Sequence, residues 1–170
     1  MRLPRFTLAE LEAANNAWGC NCGPGALAAI CGLTLDEVRS HLGPNWPGYT
    51  NPTTMVAALR STGVRWSSFQ VARESRTSWP LWGLCRIQWE GPWTLPGVPM
   101  RARYRYTHWV GAATDQQRGV GVFDVNVLAN GSGWCSLADW SAHVAPELAK
   151  GHGRRATGGW YITHAIEVGP

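Results

Sequence analysis

Hydrophobic positions in the first third of the chain recur at helical spacing. Thr7-Leu8-Ala9-Glu10 has the form of a capping box, in which a Thr and a Glu three residues later satisfy each other's backbone N–H groups. Leu8, Leu11 and Ala14 follow on one face, which predicts a helix over about 8–17 ended by Gly19. Pro24 suits the first turn of a second helix, running through Leu27 and Ile30 to a stop at Gly32. Thr34-Leu35-Asp36-Glu37 repeats the capping box and opens a third helix that stops at Gly43. After a loop rich in Pro and Gly (Pro44 to Asn51), Pro52 begins a fourth helix, through Met55, Val56 and Leu59 to Gly63.

Beyond Gly63 the period shortens. Val64 to Val71 alternates imperfectly, as a strand, and Leu84 to Trp89 is a second. Pro92 to Pro99 is a proline-rich loop. Tyr106 to Thr114 and Gly119 to Val127 predict two antiparallel strands joined by the polar turn Asp115 to Arg118. Ser136-Leu137-Ala138-Asp139 caps a short helix that Pro146 restarts, and Trp160 to Val168 is a terminal strand. There are no internal repeats. The expectation is a single α+β domain over 1–170, with a helical lobe at about 1–63 packed on an antiparallel sheet lobe at about 64–170.

Composition narrows the class. A chain of 170 residues has room for one domain with a substantial core. With 45% hydrophobic and 15% charged residues and no low-complexity tract, it is neither disordered nor a coiled coil. Its apolar runs, such as Ala26 to Ile30, are too short to span a bilayer. Met1 to Phe6 lacks the apolar stretch of a secretory signal, so a cytoplasmic protein is expected. The formal charge of +4 is scattered, concentrating only at Arg101-Arg103-Arg105 and His152-Gly153-Arg154-Arg155, which reads as solvated surface and not as a nucleic-acid site. The 11 tryptophans are read as core and lobe-packing area. Five cysteines in a reducing compartment stay thiols, which are inert, metal ligands or nucleophiles.

Local sequence separates these roles. Asn21-Cys22-Gly23-Pro24-Gly25 puts Cys22 at the start of an apolar helix, where unpaired N–H groups and the positive helix end favour the thiolate. Gly23 and Gly25 are expected to leave the sulfur approachable by a substrate backbone. A thiolate nucleophile needs a base that protonates the leaving group, and a third group to orient that base. Of the five histidines, His108 opens the central run Trp109-Val110-Gly111-Ala112-Ala113. With a turn around Gln116, Asp124 on the next strand faces His108 across the ladder. Cys22, His108 and Asp124 then form a triad. Cys20 and Cys22 have no second closely spaced Cys or His pair to complete a zinc site, so no metal and no cofactor are expected.

This layout resembles the papain-like cysteine peptidases. In pattern it is most similar to the bacterial branch typified by double-glycine leader peptidases of bacteriocin exporters, through Cys22-Gly23, His108-Trp109-Val110 and Phe123-Asp124-Val125-Asn126. The resemblance implies a papain-like fold, a thiol hydrolase acting on a peptide or isopeptide bond, and an oxyanion helper about six residues before the nucleophile. Asn16 occupies that offset where the family usually has Gln, while Asn15-Asn16 also suits a helix cap. By the same analogy a narrow cleft flanked by Trp18 and Trp109 would admit a peptide or protein substrate that is glycine-rich at the cleavage site. Two other classes fit the residues. One is a peptidoglycan-cleaving amidase or endopeptidase of NlpC or CHAP type, and the other a catalytically silent binding module on the same fold.

Overall fold

The computed structural model describes residues 2–44, 46–69, 71, 75–151 and 156–169. The basic stretch His152 to Arg155 lies outside the described residues, as do Gln70 of the first predicted strand and the side chain of Arg101.

Local capping chemistry sets the N-terminal helices. Helix α1 (Leu8–Trp18) begins with Thr7 and Glu10 bonded reciprocally, and α3 (Leu35–Leu42) begins likewise with Thr34 and Glu37. Asn21 caps α2 (Cys22–Cys31), its Oδ1 accepting the Gly23 N–H at 3.2 Å. Asn51 caps α4 (Pro52–Thr62), whose first residue is the proline. Helix α2 is buried from Gly23 through Ile30 because α3, α4 and the sheet pack around it. Its close seat on the sheet depends on Gly111, where an added Cβ would stand 2.9 Å from Ile30 Cδ1.

The sheet has six antiparallel strands: β1 (Trp66–Phe69), β2 (Trp82–Trp89), β3 (Thr107–Asp115), β4 (Gly119–Phe123), β5 (Trp134–Ser136) and β6 (Trp160–Val168). Their order is β1-β6-β2-β3-β4-β5. One face packs on the N-terminal helices through Leu27, Met55, Leu84, Trp109 and Phe123. The other carries a second apolar layer, including Ile87, Trp89, Val110 and Ile162, under a C-terminal helical segment. That segment is α6 (Leu137–Asp139), a π turn over Trp140–Val144, and α7 (Ala145–Lys150), preceded in the chain by the short α5 (Met100–Arg103). The fold is α+β. Among the described residues, no helix is long and apolar enough to cross a membrane.

Three expectations need correction. The strand predicted through Val127 ends at Phe123, because Asp124 caps a 3-10 turn over Val125–Asn130 through its side chain. The β3–β4 ladder pairs Gly111 with Phe123 and Asp115 with Gly119, so it is symmetric about Gln117 and not Gln116. His108 and Asp124 are therefore not direct cross-strand partners. Strand β5 and helix α5 were not predicted, since elements of three or four residues are too short to carry a readable period.

Candidate active site

Cys22 stands at the first position of α2, half-buried. The His108 ring and the Trp109 backbone N–H both act on its sulfur. Burial opposes ionisation of the thiol, but the imidazole's charge, its hydrogen bond and the Trp109 N–H outweigh it. The Cys22 thiol is thus held below its ordinary range. Burial likewise opposes a charged His108, yet Asp124 and the Cys22 sulfur raise the imidazole well above its usual value. Both shifts act in the direction that favours a thiolate–imidazolium pair.

Asp124 is fully buried. Its Oδ2 accepts from His108 Nε2 at 2.8 Å and from Trp140 Nε1 at 2.8 Å. Its Oδ1 accepts from the Asn126 backbone N–H at 3.0 Å and from Asn126 Nδ2 at 2.8 Å. Burial raises a carboxyl's pKa, but these donors and the adjacent imidazolium hold Asp124 at about 2. Because Nε2 is committed to Asp124, Nδ1 is the nitrogen left for Cys22. Asp124 lies one residue beyond the last β4 pair, so it reaches His108 diagonally, on the same sheet face. Asn126 bonds to Asp124 and supports it from behind.

Sequence reasoning missed Trp140 and Trp89. The indole of Trp89 stacks on that of Trp140 (6.2 Å, 19°) and lies 6.4 Å from the His108 ring. Both rings are buried, and they wall the His108–Asp124 bond off from water on that side. The capping residue Ser136 located the segment that carries Trp140, but the π turn that aims Trp140 inward has no local signal.

Cys22 lies between two clefts. One, about 890 Å³, also includes Thr50, Arg86, Trp109 and His164 in its lining. The other, about 700 Å³, includes Asn16, Cys20, His108 and Asn126. Asn16 therefore shares a cleft with Cys22 and His108. Its side chain makes no hydrogen bond among the described residues, and α1 is instead closed by the left-handed Gly19, whose N–H reaches Ala14 and Asn15 carbonyls. Asn15 Nδ2 donates to the Cys20 carbonyl at 2.6 Å and so braces the approach to the nucleophile.

Trp18, Trp109, Gly23 and Gly25 have structural parts that the sequence did not announce. Trp18 stands away from both clefts, edge-on to Trp46 at 5.5 Å and beneath Arg39, so a channel between Trp18 and Trp109 is not formed. Trp109 is buried, and its Nε1 holds the Thr50 carbonyl at 2.8 Å, fixing the loop before α4. Gly23 and Gly25 serve packing: added Cβ atoms would lie 2.4 Å from Thr50 Oγ1 and 2.3 Å from Val125 Cγ1.

The other four thiols are of a different kind. Burial pushes Cys20 and Cys31 up to about 12, Cys135 to about 11, and Cys85 well above the ordinary range. Among the described residues, no group of three or more His, Cys, Asp or Glu side chains is placed to hold a metal ion.

No protein-family model matches the chain, and no curated protein matches it either.

Proposed function

We propose that this chain is a thiol hydrolase of the papain-like plan, which cleaves a peptide or isopeptide bond with Cys22, His108 and Asp124. The observation that carries the proposal is the 2.8 Å bond from His108 to a buried Asp124, with the His108 ring in the same cleft as Cys22 and acting on its thiol. In this reading the Cys22 thiolate attacks the scissile carbonyl, and the negative oxygen is met by the Cys22 N–H and the Asn16 amide. His108, protonated, gives its Nδ1 proton to the leaving amine, leaving a thioester on Cys22. The neutral ring then takes a proton from water, whose oxygen attacks the thioester and releases the acid and the thiolate. Asp124 holds the ring in one orientation throughout. The five unpaired thiols suit a reducing, cytoplasmic setting. The substrate is a peptide or protein, and glycine at its cleavage site rests on the family resemblance alone, since Trp18 is remote.

A panel of peptide aldehyde and peptide vinyl-ester probes tests the proposal. At least one should form an adduct on Cys22, located by peptide mass mapping, and His108→Ala should suppress it. Labelling confined to Cys20, Cys85 or Cys135, or no labelling by any probe, would count against a Cys22 hydrolase.

Asn16 has its own expected result. Donors already aimed at the oxyanion are worth about 3–4 kcal/mol, so Asn16→Ala should lose roughly 10²–10³-fold in turnover. The Cys22 alkylation rate and the melting temperature should stay put, because Asn16 is exposed and caps nothing. Unchanged turnover would hand the second oxyanion donor to another residue.

A further inference from the structure

The larger cleft has a floor that the catalytic reading does not use. Strand register sets three side chains in a row across the sheet: Trp109 on β3, Arg86 on β2 and His164 on β6. All three line the cleft beside Cys22. Arg86 is only 5% exposed, and a cation so far out of water normally has a carboxylate partner. Here Arg86 has none among the described residues. Its Nη2 donates to Thr107 Oγ1 at 3.1 Å and its guanidinium lies 5.2 Å from the Tyr104 ring centroid. Its Nε–H is buried with no hydrogen-bond partner among the described residues.

The negative group whose charge reaches Arg86 is the Cys22 sulfur at the edge of the cleft, the reacting atom itself. Arg105 also lines this cleft, and among the described residues no Asp or Glu does. Burial, and then the Arg86 charge, lower the pKa of His164, so the guanidinium's field is felt across the floor. A positive cleft with an unspent, rigidly held guanidinium donor is complementary to a planar anion, which Arg binds with more geometric definition than Lys.

We propose that this cleft seats a carboxylate of the substrate on Arg86, so that the preferred peptides carry a negative group close to the scissile bond. The term substrate rests on the hydrolase reading, but the binding itself does not. The carboxylate is either the α-carboxylate of a peptide's C-terminus or an Asp or Glu side chain.

Binding to the Cys22→Ser protein, measured by calorimetry, tests this without turnover. One arm compares N-acetyl-Ala-Ala-Gly-Gly as free acid and as C-terminal amide. The other compares C-terminally amidated tetrapeptides that differ only in Glu against Gln at each position. At least one acid should bind about tenfold or more tightly than its uncharged partner, as a charge-assisted contact in a desolvated site predicts. The arm in which the preference appears identifies its source. Arg86→Met should abolish the preference, and Arg86→Lys should keep part of it. Equal binding across every pair, including no binding of either member, would overturn the proposal even if the Arg86 variants fail to fold. So would an acid preference that survives in folded Arg86→Met. Acid preference together with a wild-type protein that turns over no peptide would instead remove the hydrolase reading and leave this site standing.

Discussion

Asp124→Ala is expected to lower turnover on the order of 10⁴-fold, the scale seen when a triad loses its carboxylate function. It should also destabilise the fold by about 3–5 kcal/mol, as breaking a buried charged pair does. Both effects have one source. Removing the carboxylate strands His108 Nε2, Trp140 Nε1 and two Asn126 donors, each bonded to it at 2.8–3.0 Å. His108 would lose both its orientation and the charge that keeps it protonated. Asn126→Ala removes one side-chain donor to Asp124 and should cost about 1 kcal/mol of stability, with turnover largely kept. Steady-state kinetics and thermal melts of the two variants make the comparison. A crippled Asn126→Ala beside an active Asp124→Ala would reverse the assignment. The pH dependence has a definite sign as well. Asp124 is depressed to about 2, so its stabilisation is present above the unfolded carboxyl's value, about 4. It is lost as pH falls from there toward about 2, and Asp124→Ala should show a shallower loss across that window.

Cys22 should be alkylated by iodoacetamide at pH 6 at least on the order of 10²-fold faster than any other cysteine, since only the thiolate reacts. An ordinary thiol is roughly 0.3% ionised at that pH. Cys20, Cys31, Cys85 and Cys135 are all shifted upward and fall far below that fraction. Cys22 is shifted downward by His108 and Trp109 against the opposing effect of burial. Its rate should persist as pH falls and decline only on nearing that lowered value. In His108→Ala the decline should move to higher pH, because the imidazolium no longer offsets burial. Time-resolved peptide mass mapping provides the readout, and preferential labelling of Cys20, Cys85 or Cys135 in the native protein would remove Cys22 as the nucleophile.

Local chemistry was legible in the sequence wherever its partners lie within about four residues. Thr7 with Glu10, Thr34 with Glu37, and Pro52 place helix starts without help from the rest of the chain. The same holds for Cys22, because Asn21 caps the helix and Pro24 tolerates its first turn. The terminal strand also matched, over Trp160–Val168. The His108–Asp124 pair was found despite a wrong register, for a geometric reason. Moving the centre of the turn from Gln116 to Gln117 shifts each cross-strand partner by two residues, and a shift of two keeps a side chain on its face. Tertiary structure alone decided the rest. Trp140 reaches Asp124 only because a π turn follows α6, and Trp18 leaves the cleft because Trp46 and Arg39 hold it elsewhere. In sequence Arg86 is one of two polar residues, with Gln88, in an otherwise apolar strand. Its burial beside Cys22, with an Nε–H left unbonded, comes from the order β6-β2-β3, which joins residues far apart in the chain, and no local period encodes that order.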